Sequence, residues 1–440
     1  MNDLHTLFEY SVSRGFDWTD AEASIFDRFN TEQRANIITP IIRAGRREIR
    51  SSQFVGLLAT SERSVQILPK IWSGAGLNQD EDKRVREASE NLLLLLSYVG
   101  HLKSFESEIA SLSEHTSNWF EILTRLFASN LHRELQRGAM RSYESIADSL
   151  PVLKGKWQIA SQLRKPWLRH RFEVVFDEFT ADNQINRVFR FVVEKLSRVS
   201  RDEKNIRLLN DLKFMMDEVT LLPAVSHRDA NPTLLNRLNS RYAGLLNLAR
   251  LFLMGRVSGL SGGRTSSYAF VFDMNILFEE FIAGFVEKNR ASILPAPLED
   301  TEILPQSKGV SRHLAERNGT RLFMLKPDIV FRGIGDEIPF IVDTKYKVLD
   351  SEDTKFGVSQ ADMYQMHAYS ERYECPRILL LYPEGFSGAK KPRERFGILG
   401  TGNRVSLATV NLNRRLSLGE EQEALIEELR EIFAFSADEN

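Results

Sequence analysis

The sequence predicts an α+β multidomain protein: a β-hairpin-rich N-terminal region, a mainly helical middle, and a C-terminal α/β domain built on a mixed sheet. Three observations carry that prediction. Short runs rich in β-branched and apolar residues, separated by turn signals, fill residues 36–72. Apolar residues at three- and four-residue spacing dominate much of 86–256. Beyond a Gly/Ser-rich interruption, strand-like and helix-like segments alternate, the grammar of a sheet flanked by helices. The corresponding spans are a β-rich region at 1–80, a mainly helical region with some strands at 81–257, a linker at 258–267 and an α/β domain at 268–440.

In the first span, IITPII, RREIRSS, FVGLLAT and SVQILPKIW read as four strands, most simply two hairpins. NQDEDKRVREASE reads as a charged connector before the periodicity changes. Phe120, Leu123, Phe127 and Leu131 then mark the buried face of a long helix that Gly138 stops. Trp119, Phe120 and Phe127 are expected to pack a helical core rather than stack on bases. PVLKGKWQIAS and RHRFEVVFDEFT read as strands that extend the early β region, and RVFRFVVEKLSRV and LLNRLNSRYAGLLNLARLFLM as helices. SGLSGGRTSS breaks the pattern and reads as the linker. After it come AFVFD, the helix MNILFEEFIAGFVEKN, the strands RLFMLKPDIVFRG and IPFIVDTKYKVLD, the helix QADMYQMHAYSERY, the strand RILLLYP, and a terminal helix EEQEALIEELREIFAF.

Composition bounds the chemistry. At 440 residues, 42% hydrophobic and 27% charged, the chain can build two or three real cores. Its single cysteine, Cys375, cannot form an intrachain disulfide, and with only 8 His a Cys/His zinc site is not expected. MNDLHTLFEYSVSRGFDW lacks the layout of a signal peptide, and Leu92–Leu96 is far too short to span a bilayer, so the expected location is the cytoplasm with no membrane contact. A net charge of −2 means that any nucleic-acid contact must come from local basic clusters.

The chemistry concentrates in two strands. LKPDIVF sets Asp328 at the start of an apolar strand, and IVDTKYK ends a buried run with Asp343 and Lys345. Residues i and i+2 of a strand share a face, so Asp343 and Lys345 project together with Thr344 turned away. A hairpin across RGIGDE would bring Asp328 beside them. D-x-K alone is common and also describes a salt-bridged surface hairpin; the upstream PD and the apolar strands make this instance specific. Hard carboxylates that bind Mg²⁺ next to a lysine are what phosphodiester hydrolysis needs. On the following helix Gln365 and Tyr369 lie one turn apart on a shared face, with His367 on another. On the preceding helix Glu279 and Glu280 are both candidates for a further metal ligand.

This set resembles the PD-(D/E)xK (restriction-endonuclease-like) nucleases, and Q-x-x-x-Y after the DTK strand is similar to their RecB-like branch. Over most of its length the chain resembles McrC, the nuclease subunit of McrBC-type modification-dependent restriction systems. The marks are FVGLLATSERSVQILPKI, LKGKW, EFTADNQINRVF, FDMNILFEEFIA, KPDIVF, DTKYK and ADMYQMHAY. The resemblance implies catalytic Asp328, Asp343, Lys345, Gln365 and Tyr369, and a metal shell of Glu279, Asp328 and Asp343. It favours Glu279 over Glu280. It further implies Mg²⁺ as cofactor, with Mn²⁺ as a substitute, double-stranded DNA as substrate, and docking on a McrB-like AAA+ GTPase hexamer whose hydrolysis the N-terminal region stimulates. No G-x-x-x-x-G-K-[ST] loop is present, so this chain is not expected to bind nucleotide itself.

Further segments are candidates for contact. LRKPWLRHR (163–171) interleaves basic and aromatic residues, as a nucleic-acid surface does, and equally reads as a solvated edge or a partner contact. GAKKPRERFG offers Lys390, Lys391, Arg393 and Arg395 to phosphates, or reads as an ordinary charged loop. By analogy with the family, Arg63 and Lys70 flank the early hairpin where a partner ring would engage it. Two other functions stay open on the sequence: a non-catalytic activator or plug of the ring, and a free-standing nuclease.

Overall fold

The computed structural model describes residues 4–13, 15–60, 63–70, 81–99, 105–113, 118–165, 167, 170–231, 234–237, 239–254, 267–347, 349, 353, 355–384 and 393–438. Apart from Ser267, the expected linker at 258–267 lies outside these residues, as do Lys390 and Lys391. The chain divides into two compact units, Met1–Trp119 with Gly255–Asn440, and Phe120–Met254.

The chain opens with β1 (Leu4–Phe8), α1 (Asp20–Gln33), β2 (Ile38–Arg43), β3 (Arg46–Ser51), β4 (Phe54–Ala59) and β5 (Ser64–Leu68), followed by α2 (Glu81–Val99) and α3 (Glu106–Ser113). The two expected hairpins are both present: β2 pairs with β3 and β4 with β5, each antiparallel. The charged stretch expected to be a connector is instead helical from Glu81, because Glu81 and Asp82 sit favourably at a helix N-terminus and lead straight into the largely buried LLLLL run. Helix α1 was not expected. Thr19 and Glu22 form a capping box at its start, each side chain accepting from the other's backbone amide.

The second unit contains α4 (Trp119–Gln136) from Phe120 onward, β6 (Ser142–Leu150), β7 (Lys156–Trp157), α5 (Ile159–Leu163), β8 (Phe172–Thr180), α6 (Gln184–Val199), α7 (Glu203–Met215) and α8 (Ala243–Met254). Phe120, Leu123, Phe127 and Leu131 are all fully buried, and Phe127 packs edge-on against Phe189 and Phe252, as expected of a helical core. The strands here do not extend the N-terminal sheet. They form their own, in the order β6-β8-β7, because β6 offers a nine-residue antiparallel partner immediately upstream. Of LLNRLNSRYAGLLNLARLFLM only the second half is α-helical.

The first unit resumes with β9 (Tyr268–Asp273), α9 (Met274–Lys288), α10 (Arg290–Ile293), α11 (Ala296–Glu299), β10 (Glu302–Pro305), β11 (Arg312–Arg317), β12 (Thr320–Leu325), β13 (Ile329–Arg332), β14 (Phe340–Thr344), α12 (Gln360–Tyr373), β15 (Arg377–Pro383), β16 (Arg393–Gly397), β17 (Arg404–Val410) and α13 (Gly419–Ala437). Strand β9, read from the sequence as opening the C-terminal α/β region, completes the N-terminal sheet in the order β1-β5-β4-β9. Its residues Tyr268–Phe272 are buried, so it needs a sheet neighbour, and β4 supplies one. The approach is closest at Gly56, whose φ is +149° and where a Cβ would lie 2.1 Å from the Phe270 carbonyl oxygen. Gly56→Ala is therefore expected to cost about 3 kcal/mol or more, read as a large drop in melting temperature.

Among the described residues the C-terminal sheet has the order β10-β13-β14-β15-β17-β16 and mixes parallel with antiparallel pairs. The expected single strand RLFMLKPDIVFRG is split: among the described residues β12 pairs only with β11 in a separate hairpin, and β13 enters the main sheet. Alternation along β14 sorts its side chains. Phe340 meets Phe331 and Phe433 of α13, with ring centroids 5.6 and 5.8 Å away. Ile341 points the other way, into a core shared with Met366 and Tyr369 of α12. Asp343 and Lys345 continue that second face towards α12.

Candidate active site

The end of β14 gathers the site. The ladder with β13 runs from Phe331↔Phe340 to Ile329↔Val342, and Asp328 stands just beyond it, next to Asp343. Lys345 Nζ lies 2.7 Å from Asp343 Oδ2 and donates to Gln365 Oε1 at 3.0 Å. The Gln365 amide donates in turn to the Tyr369 hydroxyl at 2.6 Å. A Ser359–Asp362 capping box fixes the start of α12, so the helix presents both residues to the strand end. The lysine is thus held between an acid and an amide, and Tyr369, 1% exposed, anchors the amide. His367 is exposed on another face.

Asp343 is 1% exposed, and its Oδ1 has no hydrogen-bond partner among the described residues. Burial, reinforced by the charge of Asp328, pushes its carboxyl up to about 7 despite Lys345. Burial and the charges of Asp328, Glu280 and Asp343 push Glu279 up to about 8. Burial also raises Asp328, against the lowering effect of its hydrogen bonds to Thr344. Three acids that repel one another are held together beside one lysine.

Among the described residues no three acids or histidines close into a ready metal cage. The donor set nonetheless suits a hydrated divalent ion. Mg²⁺ keeps several waters and takes only one or two carboxylates, and here it would meet an orphaned buried oxygen and relieve mutual repulsion.

Three residues of this site were not read from the sequence, or were misread. Thr344, expected to turn away, donates its amide and its hydroxyl to Asp328 Oδ2, each at 2.7 Å. The reason is that Asp328 has left the ladder, and its carboxylate reaches across the strand end. Gln306 hydrogen-bonds the Glu279 carboxyl, and its backbone amide donates to the Asp328 carbonyl at 2.6 Å. Gln306 and Ser307 both adopt positive φ, an unusual backbone that turns the end of β10 towards the acids. The third, Glu9, stands beside the site and accepts from the hydroxyl of Tyr346, the neighbour of Lys345.

The remaining candidates lie elsewhere. Arg63 donates to both carboxylate oxygens of Glu22 and to the Asp17 carbonyl, with its guanidinium 4.4 Å from the Phe16 ring centroid. It braces α1, and the Lys70 side chain is exposed. Arg393 pairs with Glu431 at 2.8 Å, and Arg395 lies over Phe435, so both brace α13. Within 163–171, Lys165 pairs with Glu173 and Trp167 is exposed, while Pro166, Leu168 and Arg169 lie outside the described residues. No described helix is long and apolar enough to cross a membrane.

Comparison with known proteins places the chain. A family model described as McrBC 5-methylcytosine restriction system component matches residues 49–383. No curated protein matches. A solved structure, the half-complex from a tetradecameric assembly of Thermococcus gammatolerans McrB AAA+ hexamers with bound McrC, is similar over 98% of this chain and 100% of its own. Its TM-score is 0.61 at 21% identity, which is likeness of fold. The Thermococcus gammatolerans McrBC complex is also similar, at TM-score 0.47 and 24% identity, covering 67% of this chain and 90% of that one. With the family model spanning some three quarters of its length, the chain belongs to the McrBC 5-methylcytosine restriction system component family.

Proposed function

We propose that this chain is the Mg²⁺-dependent endonuclease subunit of its restriction system, a PD-(D/E)xK nuclease that cuts methylated double-stranded DNA while docked on a McrB-like AAA+ GTPase ring. The observation that carries the reading is the contiguous set Asp328, Asp343, Lys345, Gln365 and Tyr369 at the end of one strand and the face of one helix. The partner is inferred from the similar solved assembly, in which McrC is bound to McrB AAA+ hexamers.

Asp343 and Asp328 would hold the ion, with Glu279 completing the acidic wall. When bound, Mg²⁺ supplies polarisation of the scissile phosphate and a lower pKa for an attacking water. The chain's own residues do the positioning. Thr344 aims Asp328 with two hydrogen bonds, and Gln306 turns Glu279 inward. Lys345 presents a fixed positive charge to the phosphate oxygens on which negative charge grows, and needs no reorganisation as it does so. Gln365 and Tyr369 keep that ammonium from swinging into solvent.

The test combines the full chain with its McrB-like partner, GTP and Mg²⁺ on 5-methylcytosine-containing and unmethylated DNA of one sequence. Cutting of the methylated duplex, abolished by EDTA and restored by Mg²⁺, is the expected result. Cleavage that persists in EDTA, or none under the complete conditions, would overturn the reading.

A further inference from the structure

Glu9 follows β1 in the N-terminal sheet, 337 positions before Tyr346 in sequence, yet the two side chains meet. The Tyr346 hydroxyl donates to Glu9 Oε1 at 2.5 Å, and the Lys70 backbone amide donates to the same oxygen at 2.9 Å. The Glu9 amide itself donates to the Leu68 carbonyl at 2.9 Å, so the residue is fixed to the end of β5. Glu9 is 1% exposed and Tyr346 8%, so water does not compete for this contact. Burial pushes the Glu9 carboxyl up to about 7, which shows how costly its placement is.

Tyr346 is the residue immediately after Lys345. Its ring packs on Phe278 of α9, centroids 5.7 Å apart, and Phe278 adjoins Glu279. Lys345 is fixed on one side by its backbone amide, which donates to the Leu381 carbonyl at 2.9 Å and makes it the last residue held by the sheet. Beyond it the chain turns away, and Tyr346 is the next anchor. The same N-terminal sheet also launches α9, since β9 runs into the helix and Asp273 caps it.

We propose that Glu9 is a positioning residue for Lys345: by holding the Tyr346 hydroxyl and the Lys70 amide on one buried oxygen, it sets the cleavage corner on the N-terminal sheet. The proposal rests on the nuclease reading above. A buried carboxylate is an expensive way to hold a tyrosine, and an apolar pair would pack as well. What the carboxylate adds is direction, because a hydrogen bond fixes the tyrosine, and with it the lysine's backbone, to a fraction of an ångström.

The test measures cleavage by wild type, Glu9→Ala, Glu9→Gln, Tyr346→Phe and the Glu9→Ala/Tyr346→Phe double variant, each with the McrB-like partner, GTP and Mg²⁺. Tyr346→Phe keeps the ring on Phe278 and so keeps the fold. Glu9→Ala and Tyr346→Phe are each expected to lower kcat roughly tenfold at unchanged KM for DNA. The double variant should be no slower than either single one, and Glu9→Gln, whose amide oxygen still accepts both donors, should restore most of the rate. A kcat for Tyr346→Phe equal to that of wild type, or losses that multiply in the double variant, would overturn the proposal. A wild-type chain that fails to cut would instead overturn the nuclease reading, and the proposal with it.

Discussion

Replacing Asp343 or Lys345 by alanine is expected to lower DNA cleavage by roughly 10²–10³-fold or more while leaving engagement of the partner ring intact. The two losses have different causes. Asp343 contributes the buried oxygen that lacks a partner among the described residues, so Asp343→Ala should also weaken the dependence of the rate on Mg²⁺ concentration. Lys345→Ala should leave ion binding measurable and remove the positive charge proposed to meet the phosphate. It also strips Asp343 of its counter-charge 2.7 Å away, so Lys345→Arg is the sharper control. Arginine keeps the charge in a planar, longer group that cannot occupy the same position between Asp343 and Gln365, and activity should stay low. On the proposed partnership, stimulation of the ring's GTP hydrolysis would check that each variant still docks. Either alanine variant cutting at the wild-type rate would remove these residues from the chemistry.

Local patterns in this chain were readable, and distant pairings were not. QADMYQMHAYSERY is helical from Gln360 to Tyr373, and IVDT ends β14 where the buried run meets an acid. Both are decided by neighbours within a few residues: a capping box, and alternation on one strand. β9 shows the opposite case. YAFVFD is a strand on any reading, but nothing within it says that its neighbour is β4, more than two hundred residues upstream. The parallel pairing of β1 with β5 is of the same kind. The site divides in the same way. Asp343 and Lys345 declare themselves by an i, i+2 spacing, and Gln365 and Tyr369 by i, i+4. Thr344 could be found only by knowing where the β13–β14 ladder stops, Gln306 only from a positive φ, and Glu9 only from a contact across most of the chain. Arg63 shows the same limit: nothing near it in sequence says that the capped start of α1 folds Glu22 beneath it.

The metal-free chain is expected to lose stability as pH rises from about 4.5 to about 8, and Mg²⁺ should oppose that loss. The sign follows from the buried acids. Burial lifts Glu9 and Asp343 to about 7 and Glu279 to about 8, above the values these groups take in the unfolded chain. An acid with a raised folded pKa binds a proton more tightly when folded, so its contribution is fully present below the unfolded pKa and is lost as pH climbs through the folded one. Lys345, also raised, stays charged in both states throughout this window. The acids lowered by ion pairs, Glu22 and Asp182 among them, act in the opposite sense but only below about pH 4.5, where the unfolded chain takes up protons. A melting temperature lower by roughly 5–10 °C at pH 8 than at pH 5.5 in EDTA is expected. Mg²⁺ at millimolar concentration should recover part of that difference at pH 8 and little at pH 5.5, since a cation binds the ionised acids of the folded chain. Glu9 lies outside the acidic wall, so Glu9→Gln should flatten the pH dependence without changing the Mg²⁺ effect, whereas Asp343→Asn should reduce both. A melting temperature that rises from pH 5.5 to pH 8 in EDTA, or an Mg²⁺ effect that survives Asp343→Asn undiminished, would contradict the assignment of the raised acids to the ion's site.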